Sequence, residues 1–319
     1  MSTAPGIWRY APHLPDPGKR NIVSMGEGNT PLVPSIFDGK TSFKLEFANP
    51  TGSFKDRGST VEVSFARQGK YDEVICASTG NMGASIAAYA ARAGIKATIC
   101  LPENVPLHKI SQIQAYGARL VKVKGDYNQA LKKTWALASH KKNAMLTGDY
   151  PLRMEGQKTL AYELVDQCRG KIPRQIIVPI GNGTLITALF AGFREMKERK
   201  TIPEMPRLIG VQAAACAPLY HAWKKKTLRF DPISRPKTMA GAIACGNPIY
   251  GQEALMSVNA SGGTIFTVSE ARLKQAKVQL AEREGLYSEY SGAATYAVLN
   301  DHPWKGKTIV ILGGHGLKE

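Results

Sequence analysis

The chain has 319 residues, 43% of them apolar and 21% charged, so a disordered protein is excluded and two domains can each bury a core. The formal net charge of +17 favours an anionic partner, but the basic residues are scattered and the densest run is only Lys224-Lys225-Lys226. Scattered basic residues are typical of a solvated surface, so no nucleic-acid partner is expected.

The five cysteines, at positions 76, 100, 168, 216 and 245, form neither a CxxC pair nor a His/Cys cluster at metal-ligand spacing, so no metal site is expected. Several lie in apolar runs, where cysteine is usually a small buried hydrophobe, and this usage indicates a reducing cytoplasm. The N-terminal stretch MSTAPGIWRY lacks a secretory pattern, and no apolar stretch is long enough to span a bilayer. We therefore expect a cytoplasmic protein with no membrane partner.

Short β-rich runs alternate with helical patterns along the chain. The predicted strands are residues 73–78, 96–102, 118–125, 174–180, 207–213, 263–269 and 308–314. Helical patterns such as NMGASIAAYAARAG and SEARLKQAKVQLAEREG lie between them. Near-continuous apolar strands separated by amphipathic helices predict the α/β class, with largely parallel sheets covered by helices.

The stretch NPTGSFKDRGS places Lys55 after a turn and at the start of a predicted helix. An ammonium is disfavoured at the positive end of a helix, so the pKa of this lysine is expected to fall, which makes its neutral amine available for attack on a carbonyl. The alternative is an ordinary solvated first turn, because most lysines are exposed. Spacing alone leaves both open.

The stretch ASTGNMGAS follows the predicted strand at 73–78 and precedes an alanine-rich helix. Ser78, Thr79 and Asn81 would surround the helix N-terminus, where free N–H groups and hydroxyls can bind a carboxylate. The same residue types are also favoured as helix caps for structural reasons. The pattern therefore predicts either a carboxylate site or a cap.

Two glycine-rich segments follow later strands. The segment PIGNGTLITA places Gly181, Asn182, Gly183, Thr184 and Leu185 between a strand and a helix, which is typical of a phosphate cradle but matches neither a Walker loop nor GxGxxG. A cofactor's phosphate fits best, and a structural glycine turn is the alternative. The terminal GGHGLK contains His315, which could be catalytic but more often has a structural role in such a turn.

Together these motifs resemble the pyridoxal-phosphate enzymes of the tryptophan-synthase β-subunit structural group, and most closely the threonine synthases within it. The resemblance runs through nearly the whole chain. It rests on GEGNTPLVPS (26–35), NPTGSFKDRGS, ASTGNMGAS, LRMEGQKTLAYEL (152–164), PIGNGTLITA, KTMAGAIACGNP (237–248) and GGHGLK. The resemblance implies pyridoxal 5'-phosphate as cofactor.

The resemblance also implies residue roles. Lys55 corresponds to the family's Schiff-base lysine and proton shuttle, and Asn81 to the residue that binds the ring's phenolic oxygen. Ser78 and Thr79 correspond to the site of the substrate carboxylate. Arg153 falls where a threonine synthase arginine meets the substrate phosphate. The loop Gly181, Asn182, Gly183, Thr184 and Leu185 corresponds to the cofactor-phosphate site, and Gly313 to the cofactor site near the ring nitrogen.

Three departures from the family pattern concern the substrate and the ring nitrogen. Gly313 stands where relatives carry a hydroxyl residue, so the ring-nitrogen contact is expected to come from water or to be absent. Residues 147–151 read TGDYP where threonine synthases usually show NSVNP, and Met82-Gly83 replaces Thr-Ser. Ala244 replaces an arginine seen in many relatives. Hydroxyls and amides that would bind a substrate phosphate are therefore missing.

The implied fold has two α/β domains with the cofactor between them. The expected boundaries are an N-terminal segment 1–49 joining the large domain, a small domain 50–142 and a large domain 143–319. The implied activity converts O-phospho-L-homoserine and water to L-threonine and phosphate, in a homodimer. The alternative is β-elimination or β-replacement on serine, threonine or phosphoserine with the same cofactor.

Overall fold

A computed structural model describes residues 6–78, 80–105, 107–125 and 127–319. Its strands are β1 (Leu32–Pro34), β2 (Thr41–Leu45), β3 (Glu73–Ala77), β4 (Lys96–Pro102), β5 (Arg119–Val123), β6 (Ala144–Leu146), β7 (Gln175–Pro179), β8 (Arg207–Ala213), β9 (Thr264–Val268) and β10 (Thr308–Leu312). Its α-helices are α1 (Lys55–Gln68), α2 (Asn81–Ala93), α3 (Leu107–Ala115), α4 (Tyr127–Ser139), α5 (Pro151–Gln167), α6 (Thr184–Glu198), α7 (Pro218–Lys224), α8 (Gly251–Ala260), α9 (Glu270–Glu284) and α10 (Tyr290–Asp301).

The chain divides into two compact units. Unit 1 comprises the described residues up to 29, residues 49–157 and the last two residues, and unit 2 comprises residues 30–48 and 158–317. These divisions differ from the predicted boundaries at 49/50 and 142/143. Val23 packs into the core of unit 1, and Arg153 on the first turns of α5 bonds to α1, so both flanking segments join that unit.

Unit 1 is built on a four-stranded parallel sheet in the order β5-β4-β3-β6. Strand β3 is buried along its whole length, as expected for a central strand covered on both faces. Its core joins that strand to α1 and α2 through side chains such as Val63, Cys76 and Ile86. The carboxyl end of β3 leads directly into the loop before α2.

Unit 2 is built on a six-stranded sheet in the order β1-β2-β10-β7-β8-β9, in which only β1 runs antiparallel. The central strands β7 and β10 are fully buried, and both end in glycine-containing loops. Because β7 and β10 are parallel neighbours, those two loops lie at the same edge of the sheet. This edge is where ligands usually bind in α/β proteins.

The predicted α/β class and largely parallel sheets are confirmed. All seven predicted strands are present, with ends that differ by at most two residues. Strands β1, β2 and β6 were not predicted, because two of them have only three residues and β2 carries a buried lysine. Among the described helices, none is both long enough and apolar enough to cross a bilayer.

Candidate active site

Lys55 is the first residue of α1 and follows the turn at residues 49–54. Its side chain is partly buried, and its Nζ lies 4.6 Å from the centre of the Phe54 ring. The turn closes through a hydrogen bond from the amide of Gly52 to the carbonyl of Asn49, at 2.8 Å. The rigid turn therefore fixes where the lysine leaves the backbone.

Asp56 anchors this turn to the two helices beside it. Its carboxylate accepts hydrogen bonds from the amide and hydroxyl of Thr51, at 2.7 and 2.6 Å, and from the hydroxyl of Ser85 on α2, at 2.6 Å. Burial raises the pKa of Asp56, while these hydrogen bonds and the charge of Lys318 oppose the rise. An acid in the first turn of a helix is also favoured by the helix dipole. The sequence motif contained Asp56, but the hydrogen bond from Ser85 required the fold.

Ser78 and Asn81 lie at the start of α2, in the loop after β3. The Ser78 hydroxyl accepts hydrogen bonds from the amides of Gly80 and Gly83, at 3.2 and 2.9 Å, so it does act on the helix N-terminus. Its hydroxyl proton can still be donated to an acceptor such as a carboxylate. Asn81 is the first residue of α2 and is partly buried. The third predicted member of this group, Thr79, lies outside the described residues.

Arg153 lies in unit 1 with Lys55 but is completely buried. Its Nη1 donates to the main-chain carbonyl of Lys55 at 3.0 Å, and its Nε donates to the carbonyl of Gly148 at 2.6 Å. Its Nη2 bonds to the hydroxyl of Ser59 at 3.2 Å and forms an ion pair with Glu62. The expected role of this arginine at a substrate phosphate stays a prediction.

In unit 2, the loop after β7 has the geometry of an anion cradle. Gly183 has a φ of +88°, and a Cβ added there would lie 2.5 Å from the carbonyl oxygen of Tyr250. Glycine is therefore required both for the left-handed backbone and for the close approach. The loop leads into α6. The N–H groups in the first turn of a helix have no carbonyl acceptor within that helix, so they can bind an anion.

The segment at 240–250 holds this loop in place. The amide of Tyr250 donates to the carbonyl of Asn182 at 3.0 Å, and the side-chain oxygen of Asn182 accepts from the Cys245 thiol at 2.8 Å. A Cβ on Gly181 would lie 3.0 Å from the carbonyl oxygen of Ala242. The KTMAGAIACGNP motif thus supports the glycine loop, a relation that spacing in the sequence did not indicate.

The glycine loop fits the phosphate of pyridoxal phosphate. The N–H groups of Thr184 and Leu185 belong to the first turn of a helix, where an anion is favoured. One turn further, the buried hydroxyl of Thr187 has no hydrogen-bond partner among the described residues. Buried polar groups are usually satisfied, so this hydroxyl also indicates that the region binds a polar ligand.

Gly313 follows β10 directly and is buried. The next residue, Gly314, packs on the buried carboxyl group of Glu289, since a Cβ on Gly314 would lie 2.4 Å from Oε2 of Glu289. The Ser291 hydroxyl donates to Glu289 at 2.5 Å. No motif in the sequence indicated this buried acid near Gly313. His315 accepts a hydrogen bond from the amide of Leu317 at 3.1 Å, as a turn residue would.

The site residues thus fall into two groups. Unit 1 contains Lys55, Ser78, Asn81 and Arg153, and unit 2 contains the loop Gly181–Leu185 together with Gly313. Within unit 2 the glycine loop and Gly313 follow the neighbouring parallel strands β7 and β10.

The family model for pyridoxal-phosphate dependent enzymes matches residues 23–313. This range includes the lysine turn, the glycine loop and the strands that position them. The chain belongs to the pyridoxal-phosphate dependent enzyme family.

Similar curated proteins are named threonine synthase. The chain is 39% identical to the threonine synthase of Methanocaldococcus jannaschii, with 98% of this chain and 81% of the relative covered. It is 38% identical to that of Synechocystis, with 98% and 83% covered. Among solved structures, a threonine deaminase from T.th. superposes with a TM-score of 0.77 at 25% identity, covering 90% of this chain and 92% of that one.

Proposed function

We propose that the chain is a threonine synthase, which converts O-phospho-L-homoserine and water to L-threonine and phosphate. The observation that carries this proposal is the match to threonine synthases over at least 98% of the chain, at 38–39% identity. The glycine loop of unit 2 and the lysine turn of unit 1 supply the chemistry that such an enzyme needs.

We assign the cofactor-binding residues as follows. The N–H groups of the loop Gly181–Leu185 would bind the phosphate of pyridoxal phosphate, because a helix N-terminus stabilises negative charge. The Lys55 amine would hold the cofactor covalently, and the Asn81 side chain would donate a hydrogen bond to its phenolic oxygen. When bound, pyridoxal phosphate supplies a conjugated ring that stabilises negative charge on the substrate carbons.

The substrate would be oriented and deprotonated by residues of unit 1. The Ser78 hydroxyl and the first N–H groups of α2 would bind the substrate carboxylate. The Lys55 Nζ would remove the α proton and then a β proton, which allows phosphate to leave the γ carbon. It would then return one proton to the γ carbon and, after water has added its hydroxyl group to the β carbon, one proton to the α carbon. The fixed turn before α1 keeps that amine within reach, so proton transfers need little reorganisation.

A second candidate uses the same residues for β-elimination on serine or threonine. The observation that favours it is the structural likeness to threonine deaminase, together with Thr147–Pro151 in place of the usual phosphate-binding stretch. Elimination requires the amine and the carboxylate site but no site for a phosphate on the γ carbon. The substrate's leaving group therefore discriminates the two candidates.

A turnover assay with cofactor-loaded protein tests the proposal. O-phosphohomoserine is expected to give phosphate and threonine in equal amounts. Serine, threonine and phosphoserine in parallel reactions are expected to give little keto acid. If O-phosphohomoserine gave no product and a parallel reaction gave keto acid, the result would contradict the proposed function and support the second candidate.

Borohydride reduction followed by peptide mapping tests the lysine assignment. The cofactor label is expected on Lys55, and Lys55→Ala is expected to lose the label and at least about 1,000-fold in kcat, since a covalent catalytic group is removed. Lys96→Ala, which changes an exposed lysine at the start of β4, should retain both. A label that maps to any other lysine would refute the assignment.

We also infer that the protein is a homodimer, as the family resemblance implies. Light scattering of the eluted protein is expected to give twice the chain mass of 34.6 kDa. A monomeric mass would contradict this inference without affecting the proposed reaction.

A further inference from the structure

We propose that Arg153 is a positioning residue for Lys55 and does not bind the substrate's phosphate group. The inference rests on the proposed function, because it concerns how this chain holds the lysine and the phosphorylated substrate of that reaction. It is carried by the contacts of the guanidinium, the space around it and the charges beside it.

The guanidinium of Arg153 is already bonded on all three nitrogens. Nε donates to Gly148, Nη1 donates to the carbonyl of Lys55, and Nη2 bonds to Ser59 and Glu62. An arginine has five N–H donors, so at least four are used inside unit 1. A bidentate grip on a phosphate needs two adjacent free donors, which this arrangement does not leave.

The arginine also packs directly on the backbone of α1. A Cβ added to Gly58 would lie 2.6 Å from Cγ of Arg153 and 3.0 Å from its Nη1. The residue is 0% exposed. A phosphate group placed on the same side of the guanidinium would overlap the helix.

Two buried acids surround the guanidinium. Glu62 is 1% exposed and contacts Nη2, and its Oε1 accepts a hydrogen bond from the amide of Gly148 at 2.7 Å. Asp149, a second buried acid, lies close enough to raise the pKa of Glu62 further. A phosphate dianion would have to displace the Glu62 carboxyl group from Nη2 before it could reach the guanidinium.

These contacts connect three segments around the reactive lysine. The arginine lies on α5 and joins it to Lys55 and Ser59, in the first two turns of α1, and to Gly148 in the loop before α5. Its bond to the Lys55 carbonyl fixes the backbone from which the amine projects. Removing it should therefore alter how the lysine reaches the cofactor, while leaving the affinity for a phosphate unchanged.

The test compares Arg153→Lys, Arg153→Gln and the double variant Glu62→Gln/Arg153→Gln with the native protein. The double variant removes both charges, so it avoids a buried unpaired acid and remains foldable if the single variants do not. Arg67→Gln, on the exposed last turn of α1, is the matched control. Circular dichroism selects the variants that retain the fold.

Two kinds of measurement are made on each folded variant. The first is the rate at which added pyridoxal phosphate attaches to Lys55, followed by absorbance without any substrate. The second is the turnover of O-phosphohomoserine, which gives kcat and KM, together with the dissociation constant of O-phosphohomoserine from the absorbance change. In the Gln variants, attachment and kcat are expected to fall about tenfold or more, while both substrate constants stay within about twofold, since a displaced lysine affects reaction more than binding.

Partial rescue of the attachment rate in Arg153→Lys would support the positioning role, because an ammonium can still donate to the Lys55 carbonyl. An unchanged attachment rate in Arg153→Gln, or a tenfold or greater rise in either substrate constant, would overturn the inference. Attachment requires no turnover. A protein that binds the cofactor but makes no threonine would therefore contradict the proposed function and still test this inference.

Discussion

At the scale of single residues, Gly183 gives the sharpest prediction for the cofactor loop. Gly183→Ala would force a Cβ to within 2.5 Å of the Tyr250 carbonyl, on a backbone with a φ of +88°. The left-handed backbone alone costs an alanine about 1 kcal/mol, and the overlap must move either the loop or residue 250. We expect the dissociation constant of pyridoxal phosphate to rise at least about tenfold, or 1.4 kcal/mol.

Gly285→Ala is the control for this prediction. Gly285 ends α9 in the same unit with a φ of +68°, but an added Cβ would meet nothing within 4 Å. It should lower the free energy of unfolding by about 1 kcal/mol and leave cofactor affinity unchanged. Equal cofactor affinities for the two variants, measured by equilibrium titration, would contradict a role for the loop in phosphate binding.

The sequence allows prediction of site residues whose surroundings are formed by neighbours in the chain. Lys55 and Gly183 could be predicted as site residues because a turn, a helix start and a motif lie within a few residues of one another. The burial of Arg153 was not predictable, because Glu62 is 91 positions away in the chain and is brought to it only by the packing of α1 and α5. Glu289 was missed because only the fold places its carboxyl against Gly314.

At the scale of elements, a buried ion pair joins β2 to α5 within unit 2. The Lys44 ammonium lies 2.5 Å from the Glu163 carboxylate, and both side chains are 0% exposed. Lys44→Met would leave the acid buried without its cation, so we expect the free energy of unfolding to fall by about 3–5 kcal/mol. Urea denaturation, monitored by fluorescence, measures this change.

The double variant Lys44→Met/Glu163→Gln should recover much of that loss, because the charge that lacked a partner is also removed. The exposed pair Lys225–Asp231, at 3.8 Å, provides the control. Lys225→Met should change stability by less than about 1 kcal/mol, since exposed pairs contribute little. If the double variant were as unstable as Lys44→Met alone, the loss would have to come from packing.

The strands that could be predicted from the sequence are those with a continuous run of apolar residues. Strands β7 and β10 read as continuous apolar runs and are fully buried at the centre of their sheet. Strand β2, TSFKL, includes Lys44, and a lysine normally indicates an exposed position. Its burial depends on the ion pair with Glu163, which lies on a helix far away in the sequence. A local sequence pattern does not show which distant residue will pair with a given side chain, so this strand could not be predicted.

At the scale of the whole molecule, buried acids set the direction of the pH dependence. Burial raises the pKa of Glu27, of Asp56 and, to about 7, of Glu62, and all three lie in unit 1. Burial also opposes the ionisation of Asp38 in unit 2, but hydrogen bonds from Lys40 and Thr41 together hold its pKa below the usual value. A raised pKa gives stability that is lost as pH rises, and a lowered pKa gives stability that is lost as pH falls.

Unit 1 should therefore become less stable as the pH rises from 4.5 to about 7, the range between the unfolded and folded pKa values of Glu62. The loss is up to about 1.4 kcal/mol per pH unit for each group that keeps its proton in the folded chain after losing it in the unfolded chain. In the folded chain Glu62 keeps its proton up to about pH 7, because ionisation would place a charge in a buried site. In the unfolded chain the same group is exposed to water and loses its proton near pH 4.5. Glu62→Gln cannot titrate, so its stability should vary less over the same range. Urea denaturation at constant ionic strength, needed because the formal net charge is +17, would compare the two slopes. Parallel slopes for the two proteins, or a native stability that rises with pH, would mean that the Arg153 guanidinium keeps Glu62 charged throughout.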